Sequence, residues 1–172
     1  ALSKTKLKAD EVTHLITISC TGMYAPGLDI DLMKVLQLKT TVERTCINFM
    51  GCYAAFNGIK MADHICKANP KAKVLIVATE LCTIHFQKEK DDNNLLANAI
   101  FGDGSAALLM SADRADAEGE VCLSPQYFLN DLYEDGASEM AWNIGNFGFE
   151  MKLSSYVPSL IEKGIAELVD RL

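Results

Sequence analysis

The sequence predicts an α/β fold in which strands alternate with helices. Two observations predict it. Short apolar runs rich in Val, Ile and Thr recur at residues 12–20 (VTHLITISC), 42–49 (VERTCINF) and 72–79 (AKVLIVAT), each of strand length. Helix patterns lie between those runs, and strands that alternate with helices pair in parallel. A chain of 172 residues, 49% apolar and 23% charged, is large enough to bury a sizeable core.

Taken in order, residues 1–10 read as the last turns of a helix, and residues 12–20 as a buried strand with His14 at its edge. Residues 21–27 (TGMYAPG) carry two glycines and a proline, so they form a loop. That loop leaves the end of a strand, where open α/β sheets place their ligands. Residues 28–36 follow as a short helix, with Asp29 and Asp31 near its positive end. Residues 42–49 are expected to be a buried strand, and Gly51 permits a sharp turn after it. The helix beginning near Cys52 carries apolar residues on most faces and is expected to lie inside the fold, ending at Asn69-Pro70. Residues 72–79 are the most continuously apolar run and read as a central, parallel strand.

Residues 80–94 read as a charged, exposed loop, and residues 95–100 as a short helix or turn. Phe101-Gly102-Asp103-Gly104 is a tight turn whose glycines suggest backbone packed on backbone, and residues 105–111 are another buried strand. Residues 121–129 and 139–149 are strand-like patches separated by an acidic loop at 130–138. Residues 154–172 form an amphipathic helix, with Val157, Leu160, Ile161, Ile165, Leu168, Val169 and Leu172 on one face. Ser154 or Ser155 can cap it, and Pro158 is tolerated in its first turn.

Composition excludes several function classes. Net charge is −7 with no basic run, which argues against nucleic-acid binding. No apolar run reaches membrane-spanning length. The six cysteines form no C-x-x-C pair, and His14, His64 and His85 are scattered. Zinc is therefore not expected, and reduced thiols in a cytoplasmic protein are. Cys52 stands out because it opens a helix. Unpaired N–H groups and the positive dipole end favour a thiolate there, and a thiolate so placed is a nucleophile for acyl transfer. The plainer reading is a small buried residue, as most cysteines are.

Five segments in register then carry a family resemblance: THLITISCTGMYAPGLDIDL, INFMGCYAAFNGIK, VLIVATELCTIHF, AIFGDGSAALLMSAD and SSYVPSLIEKGI. The chain resembles the type III polyketide synthases of the chalcone and stilbene synthase family, bacterial-type members above all. The resemblance implies a thiolase-like fold of two similar α/β halves, each a mixed sheet layered with helices. Residues 1–120 would be the first half without its N-terminal segment, and 121–172 the start of the second. It also implies a homodimer, acyl-coenzyme A and malonyl-coenzyme A as substrates, no further cofactor and no metal. The family cysteine takes an acyl group from a starter thioester. Malonyl-coenzyme A is then decarboxylated, and the carbanion condenses with the bound acyl group. That chemistry needs a thiolate, donors for the developing oxyanion and a dry cavity.

Matched position by position, the resemblance makes Cys52 the acyl-accepting residue. Phe101 falls at the aromatic gatekeeper between the coenzyme A tunnel and the cavity. Phe149 falls at the second gatekeeper, with Met151 as its competitor. Cys20, Thr21, Glu80, Cys82 and His85 match cavity-lining positions, and core or loop packing is the plainer reading of each. Ala25 stands where plant members place a methionine that crosses the dimer. Cys20, Cys82 and His85 depart from the threonines common in plant enzymes, which argues against a chalcone-type product. The family's partner histidine and asparagine lie in motifs that do not occur here, so the chain is expected to cover the middle of a synthase and to be inactive alone. Related readings are a β-ketoacyl-acyl-carrier-protein synthase III, a hydroxymethylglutaryl-coenzyme A synthase, or a non-catalytic assembly module.

Overall fold

The computed structural model describes every residue except 118, 120, 133–135, 138, 147 and 172. The chain divides into two compact units. The first comprises Ala1–Glu80 and Gly104–Pro125, and the second Leu81–Asp103 and Gln126–Leu172. Residues 81–103 thus associate with the C-terminal segment in the second unit.

The first unit is built on strands β1 (His14–Ser19), β2 (Glu43–Asn48), β3 (Lys73–Glu80) and β4 (Gly104–Ser111), in the order β2-β1-β3-β4. β1 runs parallel to β2 and to β3, and β4 runs antiparallel to β3. The period-2 alternation of β1 and β3 sorts their side chains to two faces. Ile16, Ile18, Val74 and Ile76 face helix α2 (Ala54–Ala68), where they meet Ala54, Ala62 and Cys66. Leu15, Leu75 and Val77 face the other way, into a second cluster with Val12, Leu38 and Val42. Helix α1 (Leu28–Val35) lies on that side through Leu32 and Met33. Gly58 lets α2 approach closely, since a Cβ there would come within 2.7 Å of Ile18 Cδ1.

Several expectations are met with differences of burial. β1 and β3 are the buried strands. β2 and β4 are strands as predicted but largely exposed, because each has a paired neighbour on one side only. A β-branched run announces a strand, while burial depends on its place in the sheet. α2 buries only the stripe Ala54, Gly58, Ala62 and Cys66 with Asp63 beside it, and Phe56 on another face is exposed. Residues 1–10 contain short 3-10 turns, Leu2–Lys4 and Ala9–Glu11, in place of a helix end. Gly102 and Gly104 are not packed backbone on backbone, since a Cβ at either would meet nothing within 4 Å.

The second unit contains a 3-10 turn (Cys82–His85), helix α3 (Asp92–Ile100), a hairpin of β5 (Met140–Gly145) and β6 (Gly148–Leu153), and helix α4 (Val157–Asp170). The charged stretch 80–94 hides the start of α3. Asp91 caps it, accepting from the N–H groups of Asn93 and Asn94 at 3.1 Å. Residues 121–130 form no regular structure, and the patch 139–149 is the first strand and turn of a hairpin. The expected loop at 130–138 falls partly outside the described residues, as does Leu172 on the predicted helix face. No helix of the described residues is long and apolar enough to cross a membrane.

Candidate active site

In the first unit the loops of interest leave one end of the sheet. β1, β2 and β3 are parallel, so all three release the chain at their C-terminal ends. Ser19 of β1 pairs with Asn48 of β2, which puts Cys20 and the turn after β2 at the same level. That turn is sharp. Phe49 has φ 56° and Gly51 has φ 76°, two left-handed residues within three positions. The Ala54 N–H then donates to Gly51 O at 3.1 Å, and α2 begins. A left-handed aromatic residue is strained, and such strain collects at functional turns.

Cys52 lies on this turn, exposed, just ahead of Tyr53, the N-cap of α2. Tyr53 makes no side-chain capping bond, and no acidic residue occupies the first turn of α2. The positive end of the helix is thus left uncompensated by its own side chains, next to the sulfur. Sequence reasoning placed Cys52 at or near the first turn, and it sits one residue before the cap. The expectation of a small buried residue does not describe it.

Glu80, at the end of β3, draws the loop after β1 toward that strand. Its carboxylate accepts from the Cys20 N–H at 2.9 Å, the Thr21 N–H at 3.0 Å and the Thr21 hydroxyl at 2.6 Å. Three of the sequence-predicted residues, Cys20, Thr21 and Glu80, therefore form one hydrogen-bonded group. Ala25 is exposed further along the same loop. Beside it the Tyr24 hydroxyl donates to Asp31 at 2.7 Å, and that bond to a carboxylate raises the phenol above its ordinary pKa.

In the second unit a ring cluster gathers two other predicted residues. His85 ends the 3-10 turn that also carries Cys82. Its ring centroid lies 5.1 Å from Trp142, perpendicular to it, and 5.0 Å from Phe149. Trp142 and Phe149 stack at 5.4 Å and 28°. The hairpin register makes the cluster possible, pairing Trp142 with Met151 and Ile144 with Phe149, so all four share one face. Phe149 and Met151, the competing gatekeeper positions, thus point to the same side. Gln87 Nε2 donates to Phe149 O at 3.0 Å, and Asn98 Nδ2 donates to Gln87 O at 3.2 Å.

Phe101 caps the C-terminus of α3, its N–H donating to Ala97 O at 2.9 Å. Two residues on, Asp103 accepts from the Thr83 N–H at 2.9 Å and from the Thr83 hydroxyl at 2.7 Å. Those bonds, the backbone one foremost, hold the Asp103 carboxyl below the usual carboxylate range. Sequence reasoning missed Trp142. The signal was there: apolar alternation on both sides of a Gly-Asn-x-Gly stretch reads as two strands.

All six cysteines are free thiols. Cys66 is buried on α2, and burial pushes its thiol up. Among the described residues no group of three or more His, Cys, Asp or Glu could hold a metal ion.

Residues 3–114 match the family described as chalcone and stilbene synthases, N-terminal domain. The whole chain is similar to the alpha-pyrone synthesis polyketide synthase-like Pks18 of Mycobacterium tuberculosis, 32% identical over 176 aligned residues and covering 44% of that protein. Among solved structures, 1,3,6,8-tetrahydroxynaphthalene synthase from Streptomyces coelicolor, a bacterial type III polyketide synthase, superposes with a TM-score of 0.84 at 28% identity. That match covers 96% of this chain and 47% of the other. PKS-I from the brown alga Ectocarpus siliculosus gives a TM-score of 0.83 at 33% identity, over 95% of this chain and 43% of the other. The chain spans less than half the length of these relatives.

Proposed function

Because the chain belongs to the chalcone and stilbene synthase family, with Cys52 inside the matched region 3–114, we propose that it carries the acyl-accepting site of a type III polyketide synthase. The observation that carries this reading is the exposed Cys52 on a left-handed turn ahead of an uncapped helix. The Cys52 thiolate attacks the carbonyl carbon of a starter acyl-coenzyme A. The new C–S bond forms as the bond to coenzyme A breaks, and the departing thiolate takes up a proton. The acyl group stays as a thioester on Cys52.

In the whole synthase, malonyl-coenzyme A would lose carbon dioxide and its carbanion would attack that thioester, lengthening the chain by two carbons. The relatives are more than twice as long as this chain, so decarboxylation and condensation are assigned to the whole synthase, and the inactivity expected of the chain alone refers to those two steps and not to acylation of Cys52. Within the first unit, Glu80 holds Cys20 and Thr21 as proposed substrate contacts, and Ala25 is the proposed dimer-crossing position. Within the second, Phe101, Phe149, Cys82 and His85 are proposed substrate contacts. A cytoplasmic homodimer without metal or further cofactor completes the reading.

Incubation with an acyl-coenzyme A tests it. The wild-type chain gains the mass of one acyl group and releases one equivalent of free coenzyme A thiol, and C52A does neither. Equal acylation of C52A would overturn the assignment.

A further inference from the structure

The strand that leads to Cys52 also carries a charged tether to the loop after β1. Arg44 of β2 pairs with Leu15 of β1, so both side chains lie on the face that α1 covers. There the Arg44 guanidinium donates through Nη1 to the Asp29 carboxylate, in the first turn of α1. The Asp29 side chain is 9% exposed, and a carboxylate so buried needs a charged partner. Asp29 also packs on the loop. A Cβ added to Gly27, the N-cap of α1, would lie 3.1 Å from Asp29 Oδ1 and 3.1 Å from Tyr24 O. The loop 20–27 is thus held at both ends. Glu80 of β3 binds Cys20 and Thr21 at its start, and Arg44 of β2 binds Asp29 just past its end. Between them the Gly22 N–H donates to Ser19 Oγ at 2.9 Å.

Resting on the reading of Cys52 as the acyl acceptor, we infer that Arg44 is a positioning residue for that reaction. The Arg44–Asp29 pair fixes the loop 20–27 as a wall at the end of the sheet from which the Cys52 turn also leaves. An incoming acyl-coenzyme A then meets Cys20 and Thr21 already in place. Without the pair, Asp29 is buried and uncompensated, the first turn of α1 shifts, and the ligand has to order the loop itself, which weakens binding. Arg44 acts through Asp29 and the loop, so the Cys52 thiolate and the bond-forming step keep their character.

Single-turnover acylation of Cys52 by hexanoyl-coenzyme A, followed by mass over a concentration series, separates the half-saturating concentration from the limiting rate. In R44M the half-saturating concentration rises about tenfold, the size of one ordering step returned to the ligand, while the limiting rate stays within about twofold. D29N does the same, and the double variant is no worse than either, because both changes break one pair. R44K restores the wild-type value, since a single Nη1 contact is within reach of an ammonium. Alkylation of Cys52 by iodoacetamide, which is too small to need the loop, keeps its wild-type rate throughout, and a protected Cys66 reports an intact fold. Hydrogen exchange of residues 20–31 quickens about tenfold in R44M and D29N and not in R44K.

An unchanged half-saturating concentration in R44M or D29N overturns the inference, as does a slower iodoacetamide reaction at Cys52 or failure of R44K to restore binding. If R44M does not fold, D29N and R44K decide. A wild-type chain that is not acylated at Cys52, with exchange of residues 20–31 still quickened in R44M, refutes the acceptor reading alone. Acylation of the wild type with that exchange unchanged in R44M refutes this inference alone.

Discussion

Gly51→Ala isolates the backbone of the Cys52 turn. Gly51 has φ 76°, and a Cβ built on it meets nothing within 4 Å. No neighbour has to move, so the cost is conformational. A left-handed L-residue costs about 1–2 kcal/mol, and the smaller unfolded-state entropy of Ala returns about 0.4–1 kcal/mol. The expected net loss is about 1 kcal/mol. Gly104→Ala is the control within the same unit. It too has open space around its Cβ, but it lies in β4 without a left-handed φ, so it should be neutral or gain about 0.5 kcal/mol. Urea unfolding followed by far-ultraviolet circular dichroism reads both, at unchanged m-value. Phe49, at φ 56°, supplies the converse. The Phe49→Gly variant should be more stable than Phe49→Ala by about 1 kcal/mol, opposite to the order in a helix interior. G51A as stable as G104A, with Phe49→Ala no less stable than Phe49→Gly, would refute the strained-turn reasoning.

Other outcomes follow from single contacts. Glu80→Gln leaves three donor groups facing an amide in place of a carboxylate, and should cost about 2 kcal/mol by the same unfolding assay. Asp103 is held below the usual range by Thr83, and Asp91 by the bonds from Asn94. A depressed folded-state pKa contributes stability that is complete above the unfolded value of about 3.9 and is lost as pH falls through the folded value. The stability difference between wild type and D103N should therefore be full at neutral pH and shrink on acidification below about pH 4; a difference that grows on acidification would contradict this. Cys66, buried and with its thiol pushed up, should resist iodoacetamide until the chain unfolds, while Cys46, Cys52 and Cys122 are exposed and accessible to it.

The parallel core was legible because period-2 apolar runs and helix stops are local signals. The run at 72–79 announced β3, and Asn69-Pro70 announced the end of α2. Burial was less legible. β2 and β4 carry strand chemistry, but their exposure follows from sheet order, which no window of sequence contains. α3 hid inside a charge run because its cap, Asp91, looks like any solvated acid until its bonds to Asn93 and Asn94 are seen. Around the candidate site, Gly51 and Cys52 gave the turn away, whereas the left-handed Phe49 could not be read from an aromatic residue. The bonds from Cys20 and Thr21 to Glu80 join residues about sixty apart, and the Trp142 cluster depends on hairpin register. Both are products of tertiary pairing.

The most direct test of the account is where an acyl group lands. Cys46, Cys52 and Cys122 are all exposed, so accessibility alone would share acylation among them. Their settings differ. Cys46 lies on β2 and accepts a bond from the Thr17 hydroxyl at 3.2 Å, Cys122 lies in irregular chain, and Cys52 alone sits ahead of a helix. Peptide mass spectrometry after exposure to an acyl-coenzyme A should find the acyl group on Cys52 and on no other cysteine. Labelling spread across the three exposed thiols, or confined to Cys46 or Cys122, would contradict the claim that the strand–turn–helix makes Cys52 the acyl acceptor.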